Sequence, residues 1–159
     1  MSKVITLSYK ITGLGAAKTL ALLTAAGTGN GIQILGAMIT ESSNTTSQQC
    51  EACIQKVSVL GTPTGTTPTT MTANDDRTGA PTTTAVVNIT ASEPTYAGAQ
   101  FGLAGFNLNS GWAFYQQSIQ GLAQGSGFVI QAGETVGLRL TVAPGTASDV
   151  TFWITFEEL

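Results

Sequence analysis

VITLSYKI, residues 4–11, alternates apolar and polar side chains with a period of two. Ile5, Leu7, Tyr9 and Ile11 fall on one face of an extended chain; Thr6, Ser8 and Lys10 fall on the other. Side chains of a strand point alternately to opposite faces, so the pattern predicts a strand with one face in a core and one at a wet surface. The pattern recurs along the chain. In GIQILGAMITES (31–42), Ile32, Ile34 and Met38 alternate with Gln33 and Ala37, while Leu35 and Ile39 make the second face partly apolar. TTAVVNITAS (83–92), FGLAGFNLN (101–109), ETVGLRLTVA (134–143) and DVTFWITFE (149–157) repeat it. Turn signals separate these runs at GTGNG (27–31), NSG (109–111), GSG (125–127), AGE (132–134) and APGTAS (143–148). KTLALLTA (18–25) is the one segment with helical potential, but its short length and flanking glycines favour a strand. Many short strands at near-regular spacing predict an all-β, single-domain β-sandwich over residues 1–159.

Composition limits the function classes. With 159 residues, the chain is long enough to bury roughly 70% of its unfolded surface in one core. Only 9% of residues are charged, far below the roughly 25% usual for soluble domains. Threonine, glycine, serine, asparagine and glutamine supply the polarity, which suits a protein packed against other subunits. The net charge is −3 and the six Lys and Arg residues are scattered singly, so no basic stripe offers itself to nucleic acid. GLGAAKTLALLTAAG (13–27) faintly resembles a signal-peptide core, but Lys18 interrupts it and residues 4–11 before it already read as a strand. No run reaches the roughly 18 apolar residues of a membrane span. Without export, the glycosylation patterns at Asn44-Thr45-Thr46 and Asn88-Ile89-Thr90 are chance matches.

QQCEACIQK (48–56) holds both cysteines, Cys50 and Cys53, in C-x-x-C spacing. A structural zinc site needs four Cys or His ligands, and the chain has no histidine and no second cysteine pair. A redox pair draws its reactivity from a helix N-terminus, whereas this segment reads as a strand. Residues three apart on a strand point to opposite faces, so a bridge between them would strain the backbone. Packed structural thiols are the expectation. Positions 50, 52 and 54 look inward while Val57 and Val59 are out of phase, and a β-bulge near Gln55 would reconcile them.

No catalytic constellation emerges. Without histidine, Ser-His-Asp and Cys-His sites are excluded. Asn74-Asp75-Asp76 lacks the spacing of a calcium loop and reads as a solvated turn. Gly13-Leu14-Gly15-Ala16-Ala17 lacks the ending of a phosphate loop, and Glu157 and Glu158 would face opposite sides of a strand. The segment 61–81, GTPTGTTPTTMTANDDRTGAP, reads as a long Thr/Pro/Gly-rich loop, either a surface excursion or an arm that orders against a neighbouring subunit. Its one large apolar side chain is Met71. In Gly111-Trp112-Ala113-Phe114-Tyr115, Trp112 and Phe114 share one strand face and Tyr115 takes the other. Aromatic residues of this kind are either core or interface anchors, so Met71, Trp112, Phe114 and Tyr115 are the candidate interface residues. Residues 152–156, FWITF, are apolar on both faces, which implies a central strand or burial by a partner.

Taken in order, several features resemble a family of small virion proteins encoded among the head genes of tailed bacteriophages. They are the early first strand, Ile39-Thr40-Glu41-Ser42-Ser43, a Gln-rich approach to the next strand, and the Gly/Thr/Pro loop with Pro63 and Pro68. Phe106-Asn107, Gly111-Trp112, Leu138-Arg139-Leu140, Ala143-Pro144 and the closing Thr155-Phe156-Glu157-Glu158-Leu159 follow. The cysteines and the neutral loop depart from the family's pattern. The resemblance implies a jelly-roll-like sandwich serving as a capsid decoration (cement) protein. It further implies a homotrimer on the outside of the major capsid protein lattice, made in the host cytoplasm and carried on the virion, with no cofactor, nucleic-acid or membrane partner. A receptor- or glycan-binding tail or fibre module is the alternative, since jelly rolls also serve as lectins. An oxidoreductase using the C-x-x-C is a third reading.

Overall fold

The computed structural model describes residues 3–42, 48–68, 71–73, 80–115 and 128–159. Among them run twelve strands, and none of the described residues is helical. In chain order they are β1 (Lys3–Leu14), β2 (Thr19–Thr24), β3 (Ile32–Glu41), β4 (Gln49–Val59), β5 (Thr64–Thr66) and β6 (Met71–Ala73). Then come β7 (Thr84–Ala91), β8 (Thr95–Asn107), β9 (Trp112–Tyr115), β10 (Val129–Ile130), β11 (Thr135–Val142) and β12 (Ser148–Glu158).

The pairings nest. First strand pairs with last, β1 with β12; inside that pair lie β2 with β11, β3 with β9, and β4 with β8, all antiparallel. The chain therefore behaves as one long hairpin that has been rolled up. Rolling it gives one sheet in the order β9-β3-β12-β1 and a second in the order β2-β11-β4-β8. That order is a jelly roll. Three strands inserted between β4 and β8 extend it: β6 adds to β1, and β7 then β5 add to β2. β10 shares the free edge of β3 with β9.

Alternation builds the core. Ile5, Leu7 and Ile11 from β1 meet Val150, Phe152, Ile154 and Phe156 from β12, and all are buried in one cluster with Ile54, Leu138 and Leu140 of the facing sheet. The central strand β12 alternates strictly, with Trp153 between Phe152 and Ile154 turned to the outer face and half-buried. Its two-faced apolar sequence thus reflects a central position between β1 and β3. β2 is buried from Thr19 to Leu23. Leu20, Ala21 and Leu23 enter the main core, while Leu22 joins Val57 and Ile89 in a second cluster on the outer face.

Three expectations need correction. In β3, Phe156 pairs with Ile34 and Thr155 with Gly36, so Leu35 is an extra residue that reverses the phase of the strand. Ala37 and Ile39 therefore point into the core, and Met38 points out. In β4 the ladder to β8 is irregular at Gln55, but the extra residues belong to β8. Val57 keeps its phase and packs on the outer face with Leu22, Ile89 and Tyr96. The segment 61–81 is no simple loop: Thr64–Thr66 pairs with β7, and Met71–Ala73 pairs with β1. Gly65 permits the first contact, because a Cβ there would lie 2.7 Å from the Val87 carbonyl and 2.8 Å from Val86. Asn44-Thr45-Thr46, Asn74-Asp75-Asp76 and the turn at 125–127 lie outside the described residues.

Candidate protein interface

β8 and β9 follow one another along the chain but belong to different sheets, and with β10 they form one flank of the sandwich. Trp112 is only 4% exposed and belongs to the main core. Its indole Nε1–H donates to the Gly102 carbonyl of β8 at 2.9 Å, tying the edges of the two sheets together. Gly102 has φ +64°, and a Cβ on it would meet the Phe114 ring at 2.7 Å and the Trp112 ring at 3.1 Å. Glycine is needed there both for the left-handed backbone and for the approach of the aromatic rings. Phe114 is half-buried against the core. Tyr115 points the other way, is 62% exposed, and tilts toward Trp153 across the outer face with ring centroids 6.0 Å apart.

The structure thus brings Trp112, Phe114 and Tyr115 together but divides their roles. Trp112 is a core residue, so its place among the candidate interface residues is withdrawn. Met71 does not join them. It pairs with Leu7 on β6, at the opposite edge of the same sheet, where it packs against the core. The aromatic group and Met71 therefore do not form one candidate surface.

Residues overlooked in the sequence complete the flank. Phe101 is 36% exposed and Leu103 44% exposed on β8. The Phe101 ring stacks on Phe128, which precedes β10, at 3.9 Å with an interplanar angle of 29°. From Ala97 to Gly105 every residue of β8 is exposed. One sequence signal pointed here: residues 94–133 contain no Asp, Glu, Lys or Arg. Charge depletion with aromatic enrichment marks the centres of protein interfaces.

Several charges elsewhere on the described surface are used internally. On the outer face of the second sheet, Glu93 accepts from the Thr19 amide at 3.1 Å and from the Thr19 hydroxyl at 2.5 Å. With the single hydroxyl hydrogen of Thr19 committed to Glu93, Tyr96 O–H donates to Thr19 Oγ1 at 2.5 Å. Arg139 lies over the Tyr96 ring at 4.3 Å and donates to Gln55 Oε1 at 3.1 Å. Burial pushes the Tyr96 hydroxyl well above its ordinary range. Lys18 donates to Asn88 Oδ1 at 2.5 Å, and burial lowers its pKa although Glu93 opposes the shift. These groups have their partners within the chain, so the network locks the β7–β8 connection to β2 and β11.

The two thiols lie on opposite faces of β4. Cys50 is buried in the main core with Ala52 and Ile54; Cys53 is fully buried outside that cluster, opposite Arg139. Burial raises both thiol pKa values, and Arg139 and a Gln100 hydrogen bond only partly oppose this at Cys53. Both are free thiols, and high pKa and burial make them poor nucleophiles. Among the described residues no group of three or more His, Cys, Asp or Glu side chains is placed to hold a metal. Comparison with family models, characterised proteins and solved structures finds no match for this chain.

Proposed function

We propose that the protein is a virion structural protein, a capsid decoration subunit that binds the outside of the major capsid protein lattice as a homotrimer and stabilises the head. The observation that carries this reading is the exposed, charge-free aromatic flank on an otherwise internally clamped jelly roll. A surface of that kind offers shape and apolar area to another protein. The resemblance of the strand ends and turns to head decoration proteins supports the same reading. A cement subunit adds buried area across seams between capsomers and so opposes the outward load of packaged DNA, a task for contact and rigidity. The scattered cations suit protein contacts better than a phosphate backbone, which a row of Lys and Arg would neutralise.

The test is reconstitution. Purified protein is added to undecorated capsids, and occupancy and the temperature of DNA release are measured. Saturable binding at hundreds of copies per particle with a raised release temperature is the expected result. A few dozen copies at one vertex would point instead to a tail or fibre module. No binding, with release temperature unchanged, would overturn the proposal.

A further inference from the structure

We infer that the β8–β9 flank is where the chain contacts a second copy of itself, a refinement that rests on the reading of the protein as a multi-copy subunit. Charge selects the occupant. Each copy carries a net charge of −3, so two copies repel wherever their charged surfaces meet. On the flank that repulsion is relieved, because its described residues, 94–115 and 128–133, include no Asp, Glu, Lys or Arg. A partner of different composition would be selected by charges opposite to those of the chain, and this flank presents none to read. A neutral surface is self-complementary in charge.

The backbone of β8 decides the kind of contact. Ala52 pairs with Ala104 while Ile54 pairs with Phe101, and Gln55 pairs with Gln100 while Val57 pairs with Tyr96. β8 therefore carries extra residues at two levels, where Gly102 and Gly98 adopt positive φ. Bulges bend an edge away from further strand pairing. The Trp112 indole also occupies the Gly102 carbonyl. The contact is accordingly made by side chains, with Phe101, Leu103 and Tyr115 as its apolar elements, rather than by continuing the β ladder. The Phe101–Phe128 stack and the Trp112 bond hold the flank rigid before association, which limits the entropy lost on docking.

Sedimentation velocity at micromolar concentration tests this with wild type, Leu103→Lys, Ala104→Lys and Val142→Lys. Val142 is 48% exposed on β11, off the flank, and serves as the control. Circular dichroism establishes that each variant is folded, and the exposed Ala104 gives a second probe should Leu103→Lys fold poorly. Wild type and Val142→Lys should sediment as the same oligomer, and the two flank variants should dissociate at least tenfold more readily. Folded flank variants that sediment like wild type, or a wild type that is monomeric, would overturn the inference. Capsid occupancy separates it from the proposed function. Monomeric flank variants that still decorate capsids would leave the self-contact standing and remove the need for a trimer. Oligomeric flank variants that no longer decorate would place the flank against the shell and overturn the inference alone.

Discussion

The two flanks of this jelly roll treat their edges in opposite ways. On one, the insertion between β4 and β8 covers both sheets with the chain's own backbone, β6 on β1 and β5 on β7. Ion pairs and charged hydrogen bonds fasten it: Glu158 accepts from the Thr82 and Thr83 amides at 2.8 and 2.6 Å, and Lys3 Nζ donates to the Ala80 carbonyl at 2.8 Å. On the other flank, β8 and β9 have no charges and present aromatic and small side chains outward. The difference shows how a chain with few charges distributes them. Where an edge is closed by the insertion, charges act as local staples; where the aromatic side chains of the edge stay exposed, they are absent.

The largest expected effect separates packing from contact within one strand. Trp112→Ala removes a buried indole and its bond to Gly102, and should cost about 3–5 kcal/mol in urea unfolding. Tyr115→Ala should cost under about 1 kcal/mol by the same measurement, because the ring is mostly exposed. Equal losses would erase the distinction between the core and contact residues of β9.

Deleting residues 64–78 attacks the clamped flank. It removes β5, β6 and the packing of Met71 while leaving the eight strands of the rolled hairpin intact. The protein should remain folded with a loss of about 2–3 kcal/mol, and its sedimentation should match wild type. Dissociation of the oligomer by this deletion would mean that the insertion, not the neutral flank, makes the self-contact. Smaller still is the effect of Cys50→Ser with Cys53→Ser. Both thiols are buried, one on each face of β4, and replacing them with more polar hydroxyls should cost about 1–2 kcal/mol without preventing assembly. A double variant that folds but fails to assemble would give the thiols a role beyond packing.

The smallest effect is electrostatic. Burial acts to raise the Glu158 carboxyl, but the Thr83 and Thr82 amides outweigh it and hold it below the usual carboxylate range. A carboxyl with a depressed folded-state pKa contributes stability that is present above its unfolded pKa and lost as pH falls through the folded one. Hydrogen exchange at the Thr82 and Thr83 amides, measured relative to its intrinsic rate at each pH, should therefore accelerate as the pH falls below about 4. In Glu158→Gln it should be faster at neutral pH and lose that acid step. An acid step that persists in the variant would assign it to another group.

Much of the fold was legible in the sequence. Period-two alternation in β1, β11 and β12 follows from local geometry, and the same alternation correctly separated Trp112 and Phe114 from Tyr115. The phase of β3 was misread because the extra residue at Leu35 is defined by pairing with β12, more than a hundred residues away. β5 and β6 were missed because three-residue strands have too few positions to show a period. Which aromatic faced the core also depended on contacts with Gly102, which belongs to a different sheet. The absence of charge from 94 to 133 was visible throughout, but only the folded chain shows that β8, β9 and β10 share one flank.

Hydroxyl-radical footprinting of the assembled protein tests the division between the flanks most directly. Modification of Phe101, Leu103 and Tyr115 should fall on association, while Val59 and Val142, also exposed in the single chain, should be modified at the same rate in both states. Protection of Val59 or Val142 with Phe101, Leu103 and Tyr115 unchanged would contradict the account.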